Sequence, residues 1–326
     1  MSRKLYAASA LLAAAGIAPV AALAQAPNYP VRPIRVIVAF APGGGTDILA
    51  RATAQKLNEA WGQSVVVENR PGANGNIGTE AVARAQPDGH TLLATSSGPF
   101  VIAPSLYAKL PYDPAKDFAP ITLAVSYSYL LVAHPSVPAR TIKELVALAR
   151  SRPGRITCGS GGMATPPHLA TELFKMMTAT DITHIPFKGT GAALTDLLGG
   201  HVDLLFGNLP SQLPHVRNGR LRALGISTAQ RSDLLPDVPT ISEAGVKGFE
   251  ATSWFGWFAP GGTPPAVVNK LHAEIARIVQ SPDMKARLVN EGAEPVVSTP
   301  AQFVESMRAD HAKWAKVIQA AKIKAD

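Results

Sequence analysis

The chain has 326 residues, 47% of them hydrophobic and 17% charged, with a formal net charge of +8. That composition describes a folded protein, and the absence of any block of like charges excludes a nucleic-acid footprint. Cys158 is the single cysteine, so no internal disulfide can form.

In chain order the first signal is for export. Arg3 and Lys4 make a short positive stretch, Leu5 to Val20 carries no charge, and Ala22-Leu23-Ala24 supplies a small-x-small cleavage pattern. Residues 1–24 are therefore expected to be a signal peptide cut before Gln25, which lowers the net charge to +6. The apolar run is too Ala-rich for a membrane span, and no cysteine stands at the cut to carry a lipid. The expected product is a soluble periplasmic protein, whose remaining length exceeds one typical core and suggests two lobes.

Pro33 to Phe40 (PIRVIVAF) is β-branched and reads as a buried strand. Asp47 to Ala60 carries apolar residues at helical spacing, Ser64 to Glu68 is strand-like, Asn76 to Ala85 reads as a helix and His90 to Thr95 as a strand. This βαβαβ order predicts a mainly parallel sheet wrapped by helices. A second set follows Ile121 to Val125. Tyr129 to Ala133 is a strand, Thr141 and Glu144 form a helix-starting box, and short strands are expected at 155–158, 182–186, 202–206 and 221–227. The tail is helical. Pro265 to Gln280 has one apolar stripe, and Thr299-Pro300-Ala301-Gln302 opens another helix with Phe303, Met307, Trp314 and Ile318 on one face. Covering those stripes requires a return to the first lobe. The expected division is residues 25–125 with 250–326 in one lobe and 126–249 in the other, the chain crossing twice, as hinge closure requires.

Four strand-to-helix turns are rich in Gly, Ser and Thr: Pro42 to Asp47, Thr95 to Gly98, Cys158 to Gly162, and Lys188 to Gly191. Glycine lets backbone N–H groups approach a ligand, hydroxyls add donors, and a helix N-terminus offers unpaired N–H groups with partial positive charge. That chemistry suits a carboxylate or phosphate. In parallel sheets such turns lie at the carboxyl ends of the strands and face one crevice.

Enzymatic readings find little. The triple glycine lacks the Gly-Lys-Ser/Thr ending of a nucleotide-binding loop, and Gly72, Gly75 and Gly78 do not fit the dinucleotide fingerprint. There is no HExxH, CxxC or GxSxG. His168 and Glu172 share a helix face but lack a third metal ligand. Asp196 and Asp203 lie near the fourth turn, either touching ligand or serving as helix-surface and strand-edge residues. Cys158 reads as a small buried residue. Trp254, Phe255, Trp257 and Phe258 read as crossover core or, for one ring, as cleft lining.

Several stretches resemble the Bug family, periplasmic receptors of tripartite tricarboxylate transporters. They are YPVRPIRVIVAFAPGGGTDILAR, VVVENRPGANGNIGTEAVARAQPDGHTLL, PSLYAKLPYDPAKDFAPIT, IPFKGTGAALTDLLGGHVDLLFGNLPS and LRALGISTAQRSDLLPDVPTISEAG, with Thr252-Ser253-Trp254-Phe255 after them. The resemblance implies an α/β Venus-flytrap fold of two doubly wound sheets closing on a small carboxylated organic acid. It also implies a monomer serving the large and small subunits of a membrane permease, with no cofactor, no metal and no catalytic residue. The residues it implies for the ligand are Phe40, Gly44, Gly45, Thr46, Ser96, Ser97, Ser160, Thr165, Lys188, Gly189, Thr190 and Asn208. One departure is Pro166-Pro167 ahead of His168, where two N–H donors are lost. Transport and periplasmic sensing both stay open as roles for such a receptor, and an enzyme is not expected.

Overall fold

The computed structural model describes residues 28–290 and 292–324. The expected signal segment lies outside them. In chain order the elements begin with β1 (Ile34–Val38), α1 (Gly45–Trp61), β2 (Val65–Asn69), α2 (Asn76–Ala83), β3 (Thr91–Ser96), α3 (Ala103–Leu106) and β4 (Phe118–Ala133). Then come α4 (Ile142–Ser151), β5 (Ile156–Ser160), α5 (Pro166–Thr178), β6 (Ile182–Pro186), α6 (Thr190–Leu198), β7 (Leu204–Asn208), α7 (Leu209–Arg217) and β8 (Arg222–Ile226). The chain ends with β9 (Thr252–Pro260), α8 (Pro265–Val279), α9 (Pro282–Asn290), β10 (Ala293–Pro295) and α10 (Pro300–Ala320).

Hydrogen-bonded strands run in the order β2-β1-β3-β9-β4-β7-β5-β6, with β8 and β10 also paired to β4. β4 is the spine. Its first part, Phe118 to Ser128, pairs antiparallel with β9, and its last part, Tyr129 to Ala133, pairs with β7 and β8. The sequence suggested separate strands on either side of Ser126. The chain instead makes one strand of 16 residues, because the residues between are themselves extended and find partners in β9 and β10. The architecture is thus α/β and two-lobed, with β4 common to both sheets.

Alternation along each strand sorts side chains into layers. Ile34, Val36 and Val38 join α1, α8 and α9 in one apolar cluster on the first sheet. Ile37, Leu93 and Phe258 face the opposite way, toward α2 and α10. On the second sheet Leu131 and Ala133 face α4 and α5, while Leu130 and Val132 face α6 and α7. The helix starts follow their sequence signals. Thr299 and Gln302 form the reciprocal capping pair of α10. At α4 the Thr141 hydroxyl accepts from the Glu144 N–H at 3.1 Å, whereas the Glu144 carboxylate reaches past it to the Arg140 N–H at 2.7 Å. No helix among the described residues is long and apolar enough to cross a membrane.

Candidate ligand-binding cleft

Strand register decides where the turns meet. In the first sheet Val38 pairs with Asn69 and with Ala94, so the chain leaves β1, β2 and β3 at one edge. Ser96 at that edge pairs with Phe255 of β9, and β9 carries the edge on to β4 through Trp254–Ser126 and Ser253–Tyr127. In the second sheet Ser160 pairs with Pro186, and Asn208 pairs with Tyr129 of β4. The carboxyl ends of both parallel sets therefore converge on Ser126 to Tyr129, the stretch where β4 changes partners. This is the crevice position that open α/β sheets use for ligands.

On the first-lobe side the turn after β1 is locked by Asp47. Its carboxylate accepts from the Gly43 N–H (2.9 Å), Arg51 Nε (3.1 Å) and Asn69 Nδ2 (2.8 Å). Burial opposes the Asp47 charge, but these bonds outweigh it and hold the carboxyl below the ordinary aspartate range. Asn69 also donates to the Phe40 carbonyl at 3.0 Å. Gly44 then caps α1 with no side-chain bond of its own, leaving the helix N-terminus open. A Cβ on Gly45 would stand 3.2 Å from the Tyr127 hydroxyl, so the turn lies directly against β4.

The turn after β3 is tied to β9. The Ser97 N–H donates to the Trp254 carbonyl at 3.1 Å, and the Ser97 and Ser253 hydroxyls bond at 3.1 Å. Beside it runs a segment that the sequence reading set aside. Gly72, Ala73, Asn74 and Gly75 all have positive φ (126°, 45°, 54° and 93°). Two non-glycine residues in succession there store strain, which structures tend to keep at functional sites. A Cβ on Gly75 would lie 3.1 Å from the Phe40 ring and 3.0 Å from Pro99, so this loop packs onto the first two turns.

In the second lobe the two turns interlock. The Gly189 N–H donates to the Gly161 carbonyl at 3.1 Å, and a Cβ on Gly161 would stand 2.9 Å from both N and Oγ1 of Thr190. Gly189, at φ +101°, caps α6 with no side-chain bond, so the first N–H groups of α6 are available. The Ser160 hydroxyl is spent within the lobe. It donates to the Gly162 carbonyl at 2.9 Å, accepts from the Gly162 N–H at 3.2 Å and lies 2.6 Å from His184 Nε2. Thr165 also donates to the Gly162 carbonyl, at 2.9 Å, and α5 opens on Pro166 and Pro167 without side-chain capping.

The residues expected at the ligand therefore divide. Ser97, Ser160 and Thr165 have hydroxyls engaged in holding the turns. The Phe40 ring packs on the Gly72–Gly75 loop. Among the described residues no intramolecular hydrogen bond engages the side chains of Thr46, Ser96, Lys188, Thr190 or Asn208, and Asn208 is exposed beside Tyr129. Other residues singled out in the sequence have intramolecular partners or are buried. Asp203 accepts from the Thr157 N–H at 2.8 Å, and Asp196 lies 2.8 Å from His201 Nδ1. Cys158 is buried, with its thiol raised to about 11 by that burial. Trp254 to Phe258 are core residues. Missed by the sequence reading were Asp47 and Asn69 as turn clamps, Tyr127 on β4, and the stacked pair His168 and His184, whose ring centroids lie 3.7 Å apart. His168 stood out for its position after Pro166-Pro167, but nothing in the sequence connects it to a histidine on a different element.

A model of the tripartite tricarboxylate transporter family receptor matches residues 49–323. The chain belongs to that family. It is 39% identical to the protein BugT of Bordetella pertussis over 320 residues, covering 98% of this chain and 97% of that one. Among solved receptors, an R. palustris protein with adipate matches at TM-score 0.78 and 38% identity, covering 91% of this chain and 99% of that chain. The periplasmic binding protein BugD matches at 0.75 and 35%, covering 91% and 100%. MatC from Rhodopseudomonas palustris, with bound malate, matches at 0.73 and 34%, covering 89% and 100%. The family and these neighbours are solute-binding receptors.

Proposed function

We propose that this receptor works in the periplasm, captures a small organic acid between its lobes and delivers it to the permease subunits of a tripartite tricarboxylate transporter. The lobes are residues 25–125 with 250–326, and 126–249. The observation that carries the reading is the convergence of both parallel sheets on Ser126 to Tyr129, with an uncapped helix N-terminus on each side, α1 and α6. Two such N-termini facing across a cleft suit a short acid with a carboxylate at each end. Relatives solved with adipate and malate support that class. Thr46, Ser96, Lys188, Thr190 and Asn208 supply the side-chain donors, and Phe40 the apolar surface. Binding proceeds without turnover and without a cofactor.

The test is calorimetry of the exported protein against malate, adipate, citrate and matched monocarboxylates, with mass spectrometry of whatever the denatured protein releases. At least one dicarboxylate should bind, displace any resident molecule and be recovered unaltered. Binding that prefers an uncharged solute, or chemical conversion of the bound acid, would overturn the reading.

A further inference from the structure

We propose that His168 is a positioning residue for ligand binding: a neutral imidazole whose bare Nδ1 holds the loop Gly161–Thr165 in its cleft-facing shape. The proposal rests on the cleft reading above for its link to affinity, and on geometry alone for the hold itself.

His168 lies on α5 and is buried, 3% exposed. Its Nδ1 sits 2.9 Å from the Ala164 backbone nitrogen. A backbone N–H can only donate, so Nδ1 must carry no proton and the ring proton belongs on Nε2. Nε2 in turn lies 3.7 Å from Oε1 of Glu172, which accepts from Lys175 Nζ at 2.8 Å. The bond falls where the loop needs it. Ala164 has φ +56° and Gly162 has φ +138°, and an L-residue in the left-handed region persists only where its surroundings dictate it. The Ala164 N–H, bonded to His168, is one such constraint.

The second hold is one layer away. The His184 ring stacks on His168 at an angle of 11°, and its Nε2 meets the Ser160 hydroxyl, which bonds Gly162 in both directions. The loop is thus gripped at Ala164 by one imidazole and at Gly162 through the other. Burial and Lys175 disfavour charge on both rings, and His184 adds to this at His168. His168 is lowered to about 3, by burial first, then His184 and Lys175, and His184 to about 4, by burial first, then Lys175. The remaining titratable neighbours, Glu172 and Cys158, do not bond Ala164. The loop then transmits its position to the fourth turn through Gly161, which accepts from the Gly189 N–H and abuts Thr190. His168 therefore sets where the open N-terminus of α6 points, without touching ligand.

Two amides separate this role from that of a core histidine filling space. In His168→Asn the side-chain oxygen occupies the place of Nδ1 and can still accept from Ala164. In His168→Gln the polar end moves out toward the place of Nε2 and leaves the Ala164 N–H without its acceptor. Gln is nearer histidine in volume, so packing alone ranks Gln above Asn. The experiment compares wild type and both variants by affinity for malate and adipate, by amide exchange at Ala164, by melting temperature, and by 15N spectra of the imidazole from pH 8 to pH 5. Expected are a bare Nδ1 throughout that range, slow Ala164 exchange in wild type and His168→Asn, and fast exchange in His168→Gln. His168→Gln should bind about tenfold more weakly, as for one lost hydrogen bond at the site, and His168→Asn should stay close to wild type even if it melts lower. Equal exchange and affinity in the two variants, or a protonated Nδ1, would overturn the proposal. If wild type binds neither acid, the dicarboxylate reading falls, and Ala164 exchange with the imidazole spectrum decides the positioning role by themselves.

Discussion

At the scale of single residues, the hydroxyls near the cleft fall into two groups, those bonded within the protein and those without such a bond among the described residues. Ser97, Ser160 and Thr165 spend their protons or lone pairs inside the turns. Thr46 and Thr190 have no such bond among the described residues, and each lies in the first turn of a helix whose N-terminus lacks a side-chain cap. A hydrogen bond to a charged acceptor contributes about 1.5–3 kcal/mol, which corresponds to roughly ten- to a hundredfold in affinity. Thr46→Val and Thr190→Val keep the shape and remove the donor, so each should weaken dicarboxylate binding by about that factor while leaving the melting temperature within a few degrees. Ser160→Ala should lower the melting temperature as well as affinity, because it strips a partner from His184 and from both polar groups of Gly162 and so loosens the loop that sets α6. Calorimetry and thermal melts on the same three variants check this. Lys270 is the control for charge at a distance. It ties α8 to the Tyr29 carbonyl at 2.6 Å, remote from the turns, so Lys270→Ala should leave affinity unchanged.

At the scale of elements, the interlock of the second-lobe turns makes a sharper demand than any side chain. Gly161 has a negative φ, so its conformation alone would tolerate alanine. What excludes a side chain is the Thr190 backbone nitrogen and hydroxyl, 2.9 Å from where a Cβ would stand. Gly161→Ala should therefore push the start of α6 away from the β5 turn. Affinity should fall at least tenfold, with a stability loss of about 1–3 kcal/mol from local overpacking. An unchanged affinity would mean that the two turns act independently. Such coupling is also where legibility in the sequence ends. Period-two and helical patterns located most strands and helices, and Thr299 with Gln302 announced α10, because those signals are local. The continuity of β4 and the existence of β10 depend on partners far along the chain, so local pattern could not supply them. The same holds in the cleft. Glycine and hydroxyl residues marked the four turns, but which hydroxyls are free was decided by Ser253 and His184, residues remote in sequence from the serines they meet. The strained Gly72–Gly75 loop was read against a nucleotide fingerprint; Asn74 before Gly75 is a turn signal, but the left-handed backbone at Ala73 leaves no mark in residue type.

At the scale of the whole molecule, what crosses between the lobes sets the motion available to them. β4 passes through as one strand and exchanges β9 for β7 between Ser128 and Tyr129. The second crossing returns beside it. The Tyr129 N–H donates to the Ser227 hydroxyl and the Ser227 N–H to the Tyr129 carbonyl, each at 2.9 Å, while the Ala251 N–H donates to the Ser227 carbonyl at 2.9 Å. The two crossings are thus stitched to each other at one level. A third connection lies on the outer side, where α10 packs on α5; α10 is itself tied back to β9 by the Trp254 indole, which donates to Asp310 at 3.1 Å. One apolar cluster runs without a break from Ile37 and Leu93 of the first sheet through Phe258 and Trp254 to Phe174 and Phe206 of the second. Close-packed interiors do not stretch, so the lobes are not free to swing widely. Under the proposed function, the motion left to them is a small rotation about β4 that would bring α1 and α6 toward a shared ligand, with the acid selecting the closed state. For a globule of this length a radius of gyration of about 20 Å is expected. Small-angle scattering should show a modest decrease in that radius and in the maximum dimension once calorimetry has established saturation with a dicarboxylate. The decrease should be absent with a monocarboxylate of equal length, which can engage only one helix N-terminus and so gains nothing from closure. Unchanged scattering at proven saturation would mean that the acid enters a preformed site, and that the stitched crossings act as a brace instead of a hinge.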